Sequence, residues 1–584
     1  MKADMSEWLP KSFLALKDYT PRKFLSDATA GVTVGLVALP LAMAFAIASG
    51  VPPQAGLYCA VVAGFLISAL GGSTTQIGGP TGAFVVVVYG IVTRYGIDGL
   101  YMCTLLAGVL LIGLGITGLG TAVRYIPRPV VVGFTNGIAV TIASTQLKDF
   151  FGLKIDKMPG DFAGRIHAVA ANFASFSVDA TALSVLTIAV ILFFSRYVRR
   201  VPGYIVALLI GTVIAYVARL PVETVGTRFG GIPSGLPRLV VPNFRWDLIR
   251  PVIHPAITVA MLGAIESLMS AVVADRMSGD RHNPNVELIG QGIANVFSPM
   301  FGGLPATGAI ARTATNIRSG GRTPIAGIVH AATLLVILLV ASPLARFVPM
   351  SVLAGILFVV SYNMGEWSEI PELLRLSKLE IGVWLLTFGL TVFADLTVAV
   401  EAGMIMAALV FIAKVTATTK VSRVTPGYIE DGRAHILQDK KIPGYIAVFR
   451  IHGPFLFGMT EKLEHVSARL DELPPVVIVR LRNMTAIDTT GVQALEQFAA
   501  RVRETGRAIL MCGAPEQPRE FMERANFVQH IGENNLCANI TEALDRARTV
   551  FTAMQENGQV PPGWGRRAGE HAPRAGAAVA AVEL

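Results

Sequence analysis

Between Ala28 and Val415 apolar residues gather in runs close to the ~20 residues a helix needs to cross a bilayer, such as "VLTIAVILFF" and "IVHAATLLVILLVAS". Reading these runs between charged or Pro/Gly breaks predicts about fourteen segments, beginning near residues 29, 55, 80, 100, 129, 182, 202, 254, 286, 306, 323, 350, 378 and 397. An even number returns the chain to its starting side. Beyond about Lys420 the pattern changes: "YIAVFRI", "VVIVRL" and "AILMCG" read as short buried strands. Amphipathic stretches separate them, "TEKLEHVSARLDEL" and "TTGVQALEQFAARVRETG". The chain therefore divides into a polar segment at 1–27, a membrane domain at 28–418 and a small α/β domain at 438–553. A Gly-, Ala- and Pro-rich tail at 555–584 has no periodic apolar face and is expected to be disordered.

Composition agrees with a polytopic α-helical membrane protein: of 584 residues, 53% are hydrophobic and 15% charged. Met1 to Asp27 offers no short apolar core followed by a small-residue cleavage site, so the first span is read as its own insertion signal. The formal charge of +9 is spread over loops with no basic stripe interleaved with aromatics, which argues against nucleic acid. Placing both termini in the cytoplasm puts the short basic loops carrying Arg124, Arg128, Arg196, Arg276, Arg281, Arg318, Arg322, Arg375 and Lys378 inside. The expected location is the inner membrane. Cys59, Cys103, Cys512 and Cys537 have no CxxC spacing, so neither disulfides nor a metal centre is expected. No nucleophile, base and orienting group fall together, and no phosphate-loop motif occurs, so an enzyme and a cofactor are both unexpected.

Two stretches break the apolar pattern in the same way. "GGPTGAFVVVV" from Gly78 and "GGLPATGAI" from Gly302 share paired glycines, a proline and Thr-Gly-Ala. Extended backbone at membrane depth persists only where protein or a watery cavity surrounds it. A pair of such interruptions marks a transporter's midplane site, where two half-helices begin and present N–H groups and partial positive charge. An anion suits that geometry. Arg312 lies early in the second half-helix, where a cation costs about 2.5–3.5 kcal/mol to insert and so faces a cavity or a partner. The other intramembrane charge, Glu266, has Ser270 one turn on, on the same helical face. It is expected either to carry a coupling proton or to pair with Arg312.

Together with "LPLAMAFAIASGVPPQAGLY" (Leu39–Tyr58) and "ESLMSAVVADRMSGDRHNPNVELIGQGIAN" (Glu266–Asn295), these motifs resemble the sulfate permease family, the bacterial relatives of solute carrier family 26. The C-terminal "AIDTTG" (Ala486–Gly491) resembles the STAS domain. The resemblance implies fourteen transmembrane segments as two inverted seven-segment repeats, arranged in core and gate domains like a uracil permease, in a homodimer. It implies transport of an inorganic anion such as sulfate, with bicarbonate or C4-dicarboxylates as alternatives. Carried over position by position, the anion site comprises Phe45, Thr81, Thr307, Gly308, Ala309, Ala311 and Arg312, with Glu266 and Ser270 in coupling. Many members have Gln after the "LP" of the first segment; here Leu41 stands there. Sodium-using members have Asp at the Glu266 position, which favours a proton as the coupling ion. Thr490 occupies the phosphorylated position of antagonist proteins, though Asp488 to Thr490 also suit a helix N-cap. A different reading is a membrane-anchored signalling module whose STAS-like domain binds a cytoplasmic protein.

Overall fold

The computed structural model describes residues 8–16, 19–121, 127–156, 158–198, 201–233, 235, 237, 239, 246–375, 377–394, 396–424, 442–456, 463, 470–561 and 564. Most of the tail expected to be disordered and most of "TEKLEHVSARLDEL" lie outside the described residues. The chain separates into two compact units, residues 1–407 and 408–584.

The first unit is helical. In chain order it contains α1 (Lys11–Ala15), α2 (Pro21–Ala48), α3 (Pro53–Leu70), β1 (Gly78–Gly79), α4 (Gly82–Ile116), α5 (Arg128–Phe151), α6 (Phe162–Ala171), α7 (Val178–Tyr197), α8 (Gly203–Val217) and α9 (Val225–Phe229). Then follow α10 (Trp246–Ser278), α11 (Pro284–Phe297), β2 (Thr307–Gly308), α12 (Ile310–Arg318), α13 (Ile325–Ala341), α14 (Met350–Met364), α15 (Ile370–Leu373), α16 (Lys378–Phe393) and the first half of α17 (Leu396–Thr418), which runs on into the second unit. Every apolar segment read from the sequence falls on one of these helices. The runs starting near 80 and 100 share α4, which turns at Gly96, a residue in the left-handed region (φ 71°). Among the described residues, eight helices are long and apolar enough to cross a membrane.

Local chemistry sets the helix ends. Asp161, Ser177, Asn283 and Ser377 accept backbone N–H bonds at the starts of α6, α7, α11 and α16. Gly152 closes α5 in the left-handed conformation. Two packing groups result. In one, α2, α3, α4, α10, α11, α12 and α13 pack on each other; in the other, α5 packs on α14 and α16, and α7 on α8 and α14. Small residues permit the close approaches: side chains placed on Gly108 and Gly292 would each strike the facing backbone of α11 or α4.

The second unit is an α/β layer structure. Its sheet has strand order β3 (Lys420–Val424), β4 (Ile446–Phe455), β5 (Val476–Ile487), β6 (Ala508–Cys512), β7 (Leu536–Cys537), antiparallel only between β3 and β4. Strand alternation sorts the core: Val477, Val479 and Leu481 face α18 (Thr489–Glu504), α19 (Glu516–Arg524) and α20 (Phe527–Ile531). Val476 and Ile478 face α21 (Ile540–Glu556) through Ala543, Ala547 and Phe551. The three strands read from sequence are β4, β5 and β6.

Candidate anion site

The two interrupted segments meet. Strands β1 and β2 pair antiparallel, Gly78 opposite Gly308 and Gly79 opposite Thr307, and the Ala309 N–H donates to the Ile77 carbonyl at 2.8 Å. Glycine is required at this junction. Gly79 holds φ 141°, and a side chain there would press on the Arg312 guanidinium; one on Gly308 would occupy the place of the Gln76 amide. The pairing satisfies the extended backbone internally, as membrane depth demands. It also sets the N-termini of α4 and α12 beside one another. Neither terminus has a side-chain cap: Thr81 and Ala309, the N-cap residues, make no such bond. Among the described residues, no acceptor meets the first-turn N–H groups of Gly82, Ala83, Ile310 and Ala311, the donors an uncapped helix start leaves over.

The charged residues sit at this junction in different ways. The Thr81 hydroxyl donates to Glu266 Oε2 at 2.8 Å. Arg312 is buried (3% exposed) and folds back onto the first segment, its Nη1 reaching the Gly78 carbonyl at 3.5 Å and its Nη2 the Pro80 carbonyl. Glu266 and Arg312 therefore take separate partners, and the ion pair weighed in the sequence is not formed among the described residues. Phe45 is buried on α2 and its ring faces Gly82, with the Met364 sulfur of α14 on the same side. Met364 belongs to the other packing group.

The remaining candidate positions divide by role. Ala311 is exposed. Thr307 is fully buried and its hydroxyl donates to the Gly263 carbonyl at 2.8 Å, which fixes β2 to α10. Ser270 is also buried; its hydroxyl meets Thr313 Oγ1 at 3.2 Å, and Thr313 Oγ1 accepts the Ile77 N–H. Ser270 thus joins α10 to α12 and does not contact Glu266's partner. Thr490 is exposed at the start of α18, behind Asp488, whose Oδ1 accepts the Gly491 N–H at 2.8 Å.

A buried polar scaffold behind the junction escaped the sequence reading. Gln76 Nε2 donates to the Ser267 hydroxyl at 3.1 Å, and that hydroxyl donates to Glu287 Oε1 at 3.3 Å. Glu287 Oε2 accepts the Gly72 and Ser73 N–H groups at 2.8 and 3.1 Å, and Gln291 donates to its other oxygen at 3.0 Å. Asn295 pairs both ways with Ala306, amide to carbonyl and N–H to amide oxygen, each at 2.8 Å. Both interrupted segments are therefore tethered to α11. "GGSTTQIGG" and "ESLMS" carried the signal, polar residues within apolar surroundings.

A family model described as the sulfate permease family matches residues 24–387, and one for the STAS domain matches residues 438–543. The chain belongs to the sulfate permease family. It is 38% identical over 89% of its length to the "Putative sulfate transporter YvdB" of Bacillus subtilis (strain 168), covering 97% of that protein. It is 31% identical to the bicarbonate transporter BicA of Picosynechococcus sp. (strain ATCC 27264 / PCC 7002 / PR-6), covering 90% of this chain and 95% of BicA. Its fold matches a solved structure of SLC26A9 with TM-score 0.84 at 18% identity, over 95% of both chains. Family members are transporters, not enzymes.

Proposed function

We propose that this protein carries a small inorganic anion, of the sulfate type, across the inner membrane by alternating access, with fourteen spans, both termini in the cytoplasm and a homodimeric assembly. The single observation that supports the site is the β1–β2 pairing, which holds two uncapped half-helix starts side by side. Their dipoles and N–H groups suit an anion, and Phe45 and Met364 close the space above Gly82. Bicarbonate is the second reading, favoured by the similarity to BicA. A radiotracer uptake panel with the purified protein in proteoliposomes, sulfate beside bicarbonate, chloride and a C4-dicarboxylate, tests both. Uptake of none of these would reject the function.

Glu266 is proposed as the proton carrier. The carboxyl lies beside the anion's place and is held by Thr81, so an arriving anion adds a like charge that favours a protonated Glu266. Anion and proton then bind cooperatively. Glu266→Gln should keep anion exchange yet lose accumulation driven by an inward proton gradient. Gradient-driven accumulation surviving in Glu266→Gln, or wild-type uptake driven by sodium and indifferent to pH, contradicts this role. The STAS domain is proposed to dock a cytoplasmic protein, with exposed Thr490 in the contact.

A further inference from the structure

At the end of the bundle where α2 turns into α3, the outer face when both termini lie in the cytoplasm, a tyrosine joins the two packing groups. Tyr89 belongs to α4, and its hydroxyl donates to the Met158 carbonyl at 3.0 Å, in the turn that leads from α5 into α6. Two glycines leave room for the ring at its opposite edges. A Cβ on Gly50, in the α2–α3 turn, would stand 3.3 Å from one edge, and a Cβ on Gly160 would stand 3.9 Å from the other. The ring is therefore seated between a turn of its own group and a turn of the group it faces.

That second turn is firmly mounted, and Arg165 on α6 does most of the mounting. Arg165 is 3% exposed. Its guanidinium donates to the Thr141 carbonyl (3.1 Å) and the Ser144 hydroxyl (2.8 Å) of α5, and to the Gly160 (2.9 Å) and Asp161 (3.3 Å) carbonyls of the turn. A guanidinium offers several donors in one rigid plane, so four acceptors on two segments are fixed relative to each other. Asp161 then caps α6 through the Gly164 N–H at 2.6 Å, and the Met158 side chain packs on Leu153, Ile155 and Val169. Phe162 meets Phe393 of α16 edge-on, ring centres 5.5 Å apart. The turn and α6 thus go with α5 and α16. Beside the Tyr89 bond a cavity of about 290 Å³ lies between the groups and reaches Val87 of α4, which is 8% exposed. Val87 is five residues beyond Gly82, so at 1.5 Å per residue the cavity wall stands roughly 7.5 Å along the helix from the junction.

We propose that Tyr89 and the Met158–Asp161 turn form an outer clasp between the two helix groups, closed in this structure, with Arg165 as the positioning residue that holds the turn within reach of Tyr89. Parting the clasp would open the cavity, and with it the approach to the β1–β2 junction, from the outer face. The clasp rests on the reading that the two groups move to expose the site alternately, but its test needs no substrate. Val87→Cys in the full chain puts a thiol of similar size on the buried cavity wall. The four native cysteines are buried, and the unsubstituted chain supplies their background. Right-side-out membrane vesicles are treated with a membrane-impermeant thiosulfonate, and the labelling rate is read by mass.

Tyr89→Phe, which removes only the hydroxyl, should raise the rate about fivefold, the factor that one net hydrogen bond of ordinary strength supplies. Arg165→Gln should raise it by a similar factor. The two substitutions together should add little to either alone, because both act through the same bond. A merely structural Arg165 predicts a lower melting temperature with labelling at the parent rate, and effects that multiply in the double variant would likewise overturn its positioning role. Should Arg165→Gln fail to fold, Tyr89→Phe decides by itself, since the ring and its packing remain. Labelling unchanged by Tyr89→Phe overturns the clasp. Faster labelling in a protein that takes up no anion would reject the transport reading alone; uptake with labelling indifferent to Tyr89→Phe would reject only the clasp.

Discussion

Arg312 serves the junction as both a cation and a tie. Removing it deletes the positive charge beside the proposed anion place and strands two buried carbonyls, each worth about 1–3 kcal/mol when left unpaired. Arg312→Ala should therefore lower both anion uptake and thermal stability, whereas Arg318→Ala, at the last residue of α12, and Arg322→Ala, in the turn beyond it, should lower uptake far less. Uptake rates and melting curves measured side by side decide this, and anion binding unchanged in Arg312→Ala would refute it. Arg312 and Glu266 were legible as candidates because a lone charge in an apolar run is conspicuous. Their partners were not. A carbonyl acceptor such as Pro80 leaves no trace in residue type, and Thr81 and Glu266 lie 185 positions apart.

At the scale of elements, the paired interruptions were visible as Gly/Pro clusters, and their antiparallel contact is what makes both tolerable in a membrane. Gly308 is tightly constrained by Gln76. Gly308→Leu should abolish transport, since the side chain must displace the amide that links β2's neighbourhood to Ser267. Size-exclusion chromatography showing the wild-type assembly beside absent uptake is the expected pair of results; normal uptake would mean that the junction is not the site. Strands β4, β5 and β6 of the C-terminal unit were equally legible from continuous apolar runs, whereas β3 and the two-residue β7 were not. The Gln76–Ser267–Glu287 chain was not, because each residue alone reads as an isolated polar position. Only the fold brings α3's exit, α10 and α11 together.

For the whole molecule, two packing groups with few helices shared between them fit a carrier whose site is exposed alternately at each face. The junction belongs wholly to one group, while Met364 approaches it from the other. The C-terminal unit has its own cores on both faces of its sheet, so it is built to fold by itself. Removing residues 438–584 should leave uptake measurable, within a few-fold of the full chain. Transport intact beside a lost cellular response would favour the signalling reading, and total loss of uptake with the membrane unit still folded would show that transport needs the STAS domain.

The backbone bonds between Ile77 to Gly79 and Thr307 to Ala309 tie the middles of two distant stretches of chain into one strip. Amide hydrogens within that strip can meet solvent only if α10, α11 and both segments part together, whereas those of Gly82, Ala83, Ile310 and Ala311, at the proposed anion place, would need only the loss of a bound anion. Deuterium uptake in nanodiscs should consequently be biphasic over a few neighbouring residues, slow in the strip and fast at the helix starts. Saturating transported anion should slow the fast class alone. The strip would then act as an internal clock against which ligand occupancy is read, residue by residue, with no label attached to the protein.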